Sequence, residues 1–242
     1  MRKEVKKNLI YGIHASLSAL NNPNREIISA KCTQQVFEKI HNKISIKENI
    51  KKIKIVNRKE LDVDLNSSIH QGICIECDAL LYRNYQDVIK KDKGETILIL
   101  DSLNDSQNVG AIIRSAYLFG IKTIFYNEKK SFSINPILIK AASGAFEKIS
   151  IYKVNNLNTL IKKLKEENFW IIGIDKNGKD KISDISKSMK KVIVMGSENY
   201  GIRYLVKNNC DFTLKIPMTV KDNDIESLNV SCAASIIFYA LK

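Results

Sequence analysis

After residue 95, short apolar runs alternate with helical stretches along the chain. The apolar runs cover 96–100, 122–126, 170–175, 191–195 and 212–216, and helix-forming stretches lie at 109–119, 137–142, 157–168 and 202–208. Because the runs are mostly continuous in apolar residues, both of their faces must be buried, as in a parallel sheet with helices on both sides. The pattern therefore predicts an α/β domain with a mainly parallel sheet over 95–242.

The part of the chain before residue 80 shows a shorter alternation of the same two kinds of element. Strands are predicted at 26–30, 54–56 and 73–77, and helices at 15–20 and 33–41. Pro23 stops the first helix, and Thr33 is the expected N-cap of the second. We therefore expect a small α/β domain over 1–80, a polar linker over 81–94 and the larger domain over 95–242.

The chain is strongly basic. Its 242 residues include 39 Lys and Arg against 26 Asp and Glu, which gives a formal net charge of +13. Such an excess attracts polyanions and is typical of nucleic-acid-binding proteins, although a general abundance of Lys, Ile and Asn would produce it without selection for binding. The lysine-rich run at 43–54 is either a solvated face or a surface that contacts RNA phosphates.

Cysteine, histidine and apolar patterns argue against several classes of protein. The five cysteines are scattered, and the single C-x-x-C at Cys74 and Cys77 lies in a predicted strand, so we expect reduced thiols and no metal site. His14, His41 and His70 are too dispersed to suggest metal ligands. No run approaches the ~20 residues of a membrane span, and no signal-peptide pattern or glycine-rich nucleotide motif occurs. We expect a cytoplasmic protein.

The first strand–helix junction of the larger domain contains a candidate functional arginine. Asn108 is the expected N-cap of the helix, whose buried stripe is predicted at 109, 112, 113 and 116. Arg114 lies about 140° away from Val109 around the helix axis and is therefore free to face a ligand. A guanidinium at this position either holds a phosphate with its two-pronged fork or is an ordinary surface group.

Glycine and polar residues follow the later predicted strands. Gly196 and Glu198 come directly after a buried run, at the edge where open α/β sheets bind ligands. Glu198 either accepts a hydrogen bond from a ligand hydroxyl or caps the next helix. Ser227 and Asn229 are candidate caps of the last helix, which is too apolar on all sides for a surface helix. We expect that helix to be buried in the core or against another subunit.

Three tracts, taken in order, carry a family resemblance. The first is Asn-Val-Gly-Ala-Ile-Ile-Arg-Ser-Ala at 108–116, and the second is Val-Met-Gly-Ser-Glu at 194–198 followed by Gly201. The third is Ile-Pro-Met at 216–218 followed by Ser-Leu-Asn-Val-Ser at 227–231. In these tracts the chain resembles the SpoU branch of the SPOUT RNA methyltransferases, which methylate ribose 2′-hydroxyls. Shorter tracts at 141–145, 11–14 and 70–72 extend the resemblance over nearly the whole chain.

The resemblance implies a fold, a cofactor and an assembly. Members of the family thread the C-terminal segment through a loop to form a deep trefoil knot, bind S-adenosyl-L-methionine in the knot, and build the active site from two subunits. By resemblance, the backbone of Gly196, Ile216 and Leu228 is expected to hold the adenosine moiety. The catalytic set that the resemblance implies consists of Asn108, Arg114, Glu198, Ser227 and Asn229.

The resemblance also implies a substrate. The front domain is similar to the substrate-binding domain of the rRNA-type members, so a guanosine of 23S rRNA is the expected acceptor, and tRNA is the nearest alternative. Because an arginine is essentially always protonated, we expect Arg114 to grip a phosphate and align the 2′-hydroxyl instead of acting as a base.

Two departures from the family pattern leave a further alternative. The connection 219–226 is longer than is usual in the family and lacks its glycine, and Asn199 stands where glycine is usual. A non-catalytic RNA-binding or ribosome-assembly factor with the same fold therefore remains an alternative to an enzyme.

Overall fold

The described residues of the chain form two compact units. The computed structural model describes residues 7–66, 68–80, 96–127, 131–186, 189–219 and 227–242. The first unit lies within Met1–Leu81 and Ile134–Lys148, and the second lies within Tyr82–Ser133 and Ile149–Lys242. The expected linker 81–94 lies outside the described residues, so the division of the sequence at 80 and 95 stays a prediction. Within that division, Ile134–Lys148 belongs to the larger domain, whereas in the structure it packs in the first unit.

The helices and strands are numbered here in chain order. The described strands are β1 (Lys7–Tyr11), β2 (Ile27–Cys32), β3 (Ile53–Ile55), β4 (Ile73–Asp78), β5 (Ile97–Asp101), β6 (Thr123–Asn127), β7 (Ser150–Val154), β8 (Trp170–Ile174), β9 (Lys191–Gly196) and β10 (Phe212–Leu214). The described α-helices are α1 (Ile13–Leu20), α2 (Gln34–Ile40), α3 (Lys47–Lys51), α4 (Arg58–Leu65), α5 (Ser106–Leu118), α6 (Pro136–Ala141), α7 (Leu157–Glu166), α8 (Tyr204–Lys207) and α9 (Val230–Ala240).

The first unit contains a mixed four-stranded sheet in the order β1-β4-β2-β3. Strand β4 runs antiparallel to β1 and β2, and β3 runs parallel to β2. The sequence predicted β2, β3 and β4 but missed β1, α3 and α4. Helix α4 buries only Leu61 and so shows almost no apolar periodicity. Thr33 is the N-cap residue of α2, as predicted, but its side chain makes no capping hydrogen bond.

A buried ion pair holds the segment Ile134–Lys148 in the first unit. The Arg25 side chain is 0% exposed and its Nη2 lies 2.9 Å from Oε1 of Glu147, whose side chain is 2% exposed. Asn22 Nδ2 donates to the same carboxylate at 2.7 Å, and Arg25 Nη1 donates to the carbonyl oxygen of Asp78. Because a buried charge without a partner is very costly, this cluster fixes the 3₁₀ turn Ala145–Lys148 against the strand ends.

The second unit contains a six-stranded sheet in the order β10-β8-β9-β5-β6-β7. Every neighbouring pair in it is parallel, which confirms the predicted parallel sheet. All residues of β5, β6 and β9 are buried, as expected for strands covered on both faces. The sequence missed β7, because Ser150 and Lys153 interrupt its apolar run at the edge of the sheet.

Helix α5 keeps its predicted stripe but begins earlier than predicted. Val109, Ile112 and Ile113 are fully buried, and Arg114 is exposed, as the spacing indicated. The N-cap is Asp105, whose Oδ1 accepts from the backbone N–H of Asn108 at 2.6 Å. Asn108 therefore lies inside the first turn, and the prediction that it caps the helix is wrong. Its side chain is thereby available for other contacts.

Helix α9 is buried on one face within a single chain. Val230, Ala234, Ile237 and Phe238 are buried, whereas Ile236 is 41% and Tyr239 is 72% exposed. Within one subunit the expected burial of this helix is therefore met on one face only. Its N-cap is Asn229, one of the two predicted candidates, whose Oδ1 accepts from the backbone N–H of Ser231 at 2.9 Å.

The state of the β4 thiols, membrane-spanning helices and metal-binding groups bear on what the chain can do. Cys74 and Cys77 both lie on β4, and burial raises their pKa to about 12 and about 11, so both thiols stay protonated at neutral pH. Among the described residues, no helix is long and apolar enough to cross a membrane, and no group of three or more potential ligands could hold a metal ion.

Candidate active site

The central strands of the second unit place two loops side by side. Strand β9 lies between β8 and β5, and Gly196 at its end pairs in register with Asp101 at the end of β5. Because the strands are parallel, the loops that follow them leave from the same edge of the sheet. One of these loops leads into α5, and the other carries Glu198.

The loop after β9 is closed by its own backbone. Ser197 N–H donates to the Gly201 carbonyl oxygen at 3.0 Å, and Gly201 N–H donates back to Ser197 at 2.8 Å. Gly201 has φ +64°, and a Cβ placed on Gly196 would lie 2.1 Å from the Gly201 carbonyl carbon. Only glycine therefore fits at position 196. Asn199 is not among the described residues with positive φ, so a side chain in place of the family's glycine brings no backbone strain there.

A buried carboxylate anchors the start of the next helix to the same strand edge. Asp101 is 0% exposed, and its Oδ2 accepts from the backbone N–H of Arg203 at 2.9 Å. The Arg203 side chain donates from Nε to Oδ1 of Asp101 at 2.6 Å. The loop 197–203 is thus held at both ends, by its glycine closure and by this ion pair.

Replacing Arg203 with methionine is expected to lower the free energy of unfolding of the second unit by about 3 kcal/mol, because the buried Asp101 carboxylate loses its partner. The figure lies at the low end of the range for buried pairs because the Arg203 side chain is 33% exposed. Urea unfolding followed by the fluorescence of Trp170, the only tryptophan and part of β8, measures it. The double variant Asp101→Asn, Arg203→Met should regain part of the loss; a single variant as stable as the wild type would contradict the prediction.

Three of the predicted catalytic residues form a hydrogen-bonded triangle. Asn108 Nδ2 donates to Glu198 Oε1 at 2.8 Å. Asn229 Nδ2 donates to the same oxygen at 3.2 Å and to Asn108 Oδ1 at 3.0 Å. Because Asn229 Oδ1 caps α9, its amide nitrogen must point toward the other two residues. Residues that are far apart in the sequence thus share one site. Asn108 and Glu198 are 90 positions apart, and Glu198 and Asn229 are 31 positions apart.

A cavity of about 740 Å³ opens beside this triangle. The predicted cofactor-binding residues Gly196, Ile216 and Leu228 all line it, as do Glu198 and Ser227. Its volume lies within the usual range of about 300–1,000 Å³ for ligand pockets. The sequence thus identified residues that the fold brings together around one cavity.

The lining of this cavity fits a nucleoside-bearing cofactor such as S-adenosylmethionine. Met195, Ile216 and Leu228 offer apolar side chains to a base, and Gly196 lets a ligand approach the backbone closely. Asp175, at the end of β8, offers a carboxylate that can accept hydrogen bonds from ribose hydroxyls.

The environment of Asp175 keeps its carboxylate ionised. Burial raises the pKa of Asp175, but hydrogen bonds from Lys207 and the Asn177 backbone N–H, together with the positive charges of Lys207 and Lys176, lower it by more in sum, so the pKa lies below its ordinary value. Lys207 Nζ lies 2.8 Å from Asp175 Oδ2. The stability that these contacts contribute is therefore present at neutral pH and is lost only as pH falls below the ordinary carboxyl range. Sequence reasoning missed Asp175, although its place after an apolar strand is the same signal that singled out Glu198.

A second cavity of about 450 Å³ lies across the loop 197–201 from the first. Ser102, Asp105, Asn108 and Arg203 line it, and Glu198 and Tyr200 line both cavities. The loop 197–201 is therefore a wall shared by the two cavities, with the hydrogen-bonded triangle at that wall.

Arg114 is the predicted site residue that the single chain does not bring to the site. It is exposed on α5 and lines neither of the two cavities. Its side chain makes no hydrogen bond or ion pair with any other described residue. Its role is therefore not explained by the contacts within one subunit.

Comparisons with known proteins identify the family of each part of the chain. The family model described as the SpoU rRNA methylase family matches residues 95–239, and the model for the substrate-binding domain of RNA 2′-O ribose methyltransferases matches residues 9–83. A putative TrmH family tRNA/rRNA methyltransferase of Staphylococcus epidermidis is 33% identical over 218 residues, 82% of this chain and 86% of the relative. The 23S rRNA (guanosine-2′-O-)-methyltransferase RlmB of Coxiella burnetii is 30% identical over 239 residues, 96% of this chain and 94% of the relative.

A solved structure shows the same fold. The SpoU methyltransferase AviRb from Streptomyces viridochromogenes, in complex with AdoMet, superposes with a TM-score of 0.79 over 97% of this chain and 89% of that chain. Its sequence identity is 16%, so this likeness bears on the fold alone.

Proposed function

The chain belongs to the SpoU rRNA methylase family and is an S-adenosylmethionine-dependent RNA ribose 2′-O-methyltransferase, and from this premise we propose that its acceptor is a guanosine of 23S rRNA. The observation that carries the proposal is the match over nearly the whole chain to a relative named for that reaction. The front unit supports it further, because it matches the substrate-binding model of RNA 2′-O ribose methyltransferases. An rRNA substrate implies a cytoplasmic location, which we include in the proposal.

In this proposal the first cavity holds the cofactor. The backbone around Gly196, Ile216 and Leu228 holds its adenosine, and Asp175 accepts hydrogen bonds from its ribose. When bound, S-adenosylmethionine supplies an electrophilic methyl group on a sulfonium. We also propose that the family's trefoil knot forms this pocket. The connection 219–226, which departs from the family pattern, lies outside the described residues except for Thr219.

The hydrogen-bonded triangle is assigned to binding the ribose of the acceptor nucleotide. Glu198 Oε1 accepts from both Asn108 and Asn229, which fixes the carboxylate at the wall between the two cavities. A fixed carboxylate can accept a hydrogen bond from a ribose hydroxyl and hold it in line with the methyl group. Ser227, exposed at the rim of the first cavity, is assigned a further hydrogen bond to this site.

Arg114 is assigned to the site of a second subunit. The exposed Ile236 and Tyr239 on α9 and Leu118 on α5, which is 69% exposed, form an apolar surface that a homodimer would bury. In such a dimer the partner subunit's Arg114 reaches the wall between the cavities and grips the phosphate next to the target ribose. The 2′-hydroxyl proton then passes to that phosphate or to water, because an arginine cannot accept it.

A tRNA substrate is the second candidate, since the Staphylococcus epidermidis relative is named for tRNA or rRNA. The test uses calorimetry with S-adenosylmethionine and then methyl incorporation into 23S rRNA and into tRNA, both isolated from a strain that lacks the gene. We expect cofactor binding, incorporation into 23S rRNA, and a mapped 2′-O-methylguanosine. Incorporation into tRNA alone would favour the second candidate. Absence of cofactor binding at millimolar concentration would favour a non-catalytic factor.

A further inference from the structure

Two tyrosines stand out from the loop between the cavities and the helix that follows it. Tyr200 is 90% exposed and Tyr204 is 75% exposed. The Tyr200 side chain makes no hydrogen bond or ring contact with any described residue, and its backbone N–H donates to Ser197 Oγ at 3.3 Å. The fold therefore fixes the backbone of Tyr200 and leaves its ring exposed to solvent.

The position of Tyr200 relates it to both cavities. It lines the first cavity together with Gly196 and Leu228, and it lines the second together with Asn108 and Arg203. It is also two residues from Glu198, the carboxylate of the hydrogen-bonded triangle. An exposed aromatic ring thus borders both cavities beside Glu198.

The second cavity has the size and chemistry of a site for one nucleotide. Its volume is about 450 Å³, and polar groups from Ser102, Asp105 and Asn108 line it. Arg203 also lines it, with a side chain that is 33% exposed and paired with the buried Asp101. The chain's net charge of +13 favours binding of an anionic RNA backbone. An aromatic ring at the edge of such a space can stack on any of the four bases.

We propose that Tyr200 stacks on the unpaired base of the nucleotide whose ribose is methylated, and that this base enters the second cavity. The inference rests on the proposed function. Proteins that recognise RNA by its sequence mostly bind unpaired bases that are splayed out of the stack, and stacking on an aromatic ring replaces part of the stacking that is lost. The ring thus selects an unpaired, splayed-out nucleotide and places its sugar at the wall that carries Glu198.

The test compares Tyr200→Phe, Tyr200→Leu and Tyr200→Ala. Phenylalanine keeps the aromatic face, and leucine keeps an apolar side chain without one. With unmethylated 23S rRNA as the probe, we expect Tyr200→Phe to act like the wild type. Tyr200→Leu and Tyr200→Ala should both lower kcat/KM for RNA about five- to 150-fold, the range for the loss of one base–aromatic stack. Calorimetry should give each variant the wild-type affinity for S-adenosylmethionine.

A matched control is Leu205→Ala. Leu205 is 65% exposed, lies on α8, and lines neither cavity, so its removal tests the loss of exposed apolar area alone. We expect no change in kcat/KM for this variant.

Three outcomes would overturn the inference. They are an unchanged kcat/KM for Tyr200→Ala, equal rates for Tyr200→Leu and Tyr200→Phe, and a loss of cofactor affinity that accounts for the whole effect. The last outcome would assign the ring to the adenine of the cofactor. A failure of the proposed function is distinguishable, because it would appear as absent cofactor binding or absent methyl incorporation in the wild type.

Discussion

The Arg114→Ala variant should transfer methyl groups to RNA about 100- to 1,000-fold more slowly than the wild type and bind S-adenosylmethionine with unchanged affinity. Arg114 is exposed and lines neither cavity, so its removal neither unpairs a buried group nor alters the cofactor pocket. The loss should fall on the alignment of the ribose hydroxyl, which the guanidinium sets through the neighbouring phosphate. Single-turnover incorporation of labelled methyl groups into unmethylated 23S rRNA measures the rate, and calorimetry measures the affinity.

Two comparisons separate this role from a general loss of positive charge. Arg114→Lys keeps the charge but not the two-pronged fork, so we expect it to fall between alanine and the wild type. Lys162→Ala removes an exposed positive charge from α7, whose residues line neither cavity, and should leave the rate unchanged. A wild-type rate for Arg114→Ala would contradict the assignment.

The proposed exchange of Arg114 between subunits can be tested by complementation. Arg114→Ala and Asn229→Ala should each have at most about a hundredth of the wild-type rate as homodimers. When the two chains are co-expressed, half of the dimers are mixed, and each mixed dimer has one site with both residues intact. We therefore expect about a quarter of the wild-type rate. No recovery on co-expression would place Arg114 in the site of its own subunit.

The Gly196→Ala variant is expected to lose measurable binding of S-adenosylmethionine. Its Cβ would lie 2.1 Å from the carbonyl carbon of Gly201 and 2.2 Å from the backbone nitrogen of Ile202. No rotation of a side chain relieves a contact with backbone, so the closure between Ser197 and Gly201 must open. The wall between the two cavities then moves, and with it Glu198. Affinity should fall at least about 100-fold, as expected when a positioned site is displaced, and calorimetry measures it.

The matched control for this substitution is Gly120→Ala. Gly120 has φ +88°, and a Cβ there meets nothing within 4 Å. Alanine at this position should cost about 1–2 kcal/mol of stability through its backbone conformation, with cofactor affinity unchanged. Circular dichroism shows whether each variant stays folded. Wild-type affinity in a folded Gly196→Ala variant would show that the closed loop is not required for binding.

Sequence reasoning succeeded where burial on both faces leaves a continuous apolar run. Strands β5, β6, β8 and β9 were found within one or two residues for this reason. It failed at β7, where an edge position tolerates Ser150 and Lys153, and at α4, which buries only Leu61. It also misplaced the cap of α5, because Asp105 and Asn108 are both good capping residues and only the backbone path decides between them.

Some residues of the candidate site were also found from the sequence, and others only from the structure. Gly196, Ile216 and Leu228 were named by their motifs, and all three line one cavity. Gly196 and Ile216 do so because they lie at or just after the ends of parallel strands that end at a common edge, whereas Leu228 lies just before α9. Asp175 and Arg203 carry no motif of their own, and their roles appear only through the partners Lys207 and Asp101. The sequence does not show that the ring of Tyr200 is exposed, since exposure is a property of the fold.

The sequence by itself determined the parallel α/β domain, the basic character of the chain and the residue types of the site, because apolar periodicity, charge and motif spacing are local properties. Only the tertiary structure decided that Asn108, Glu198 and Asn229 share one hydrogen-bonded network and that Ile134–Lys148 packs in the first unit. Contacts between distant residues depend on strand order and on the path of the chain between elements. Neither the strand order nor the path of the chain can be predicted from a short stretch of residues.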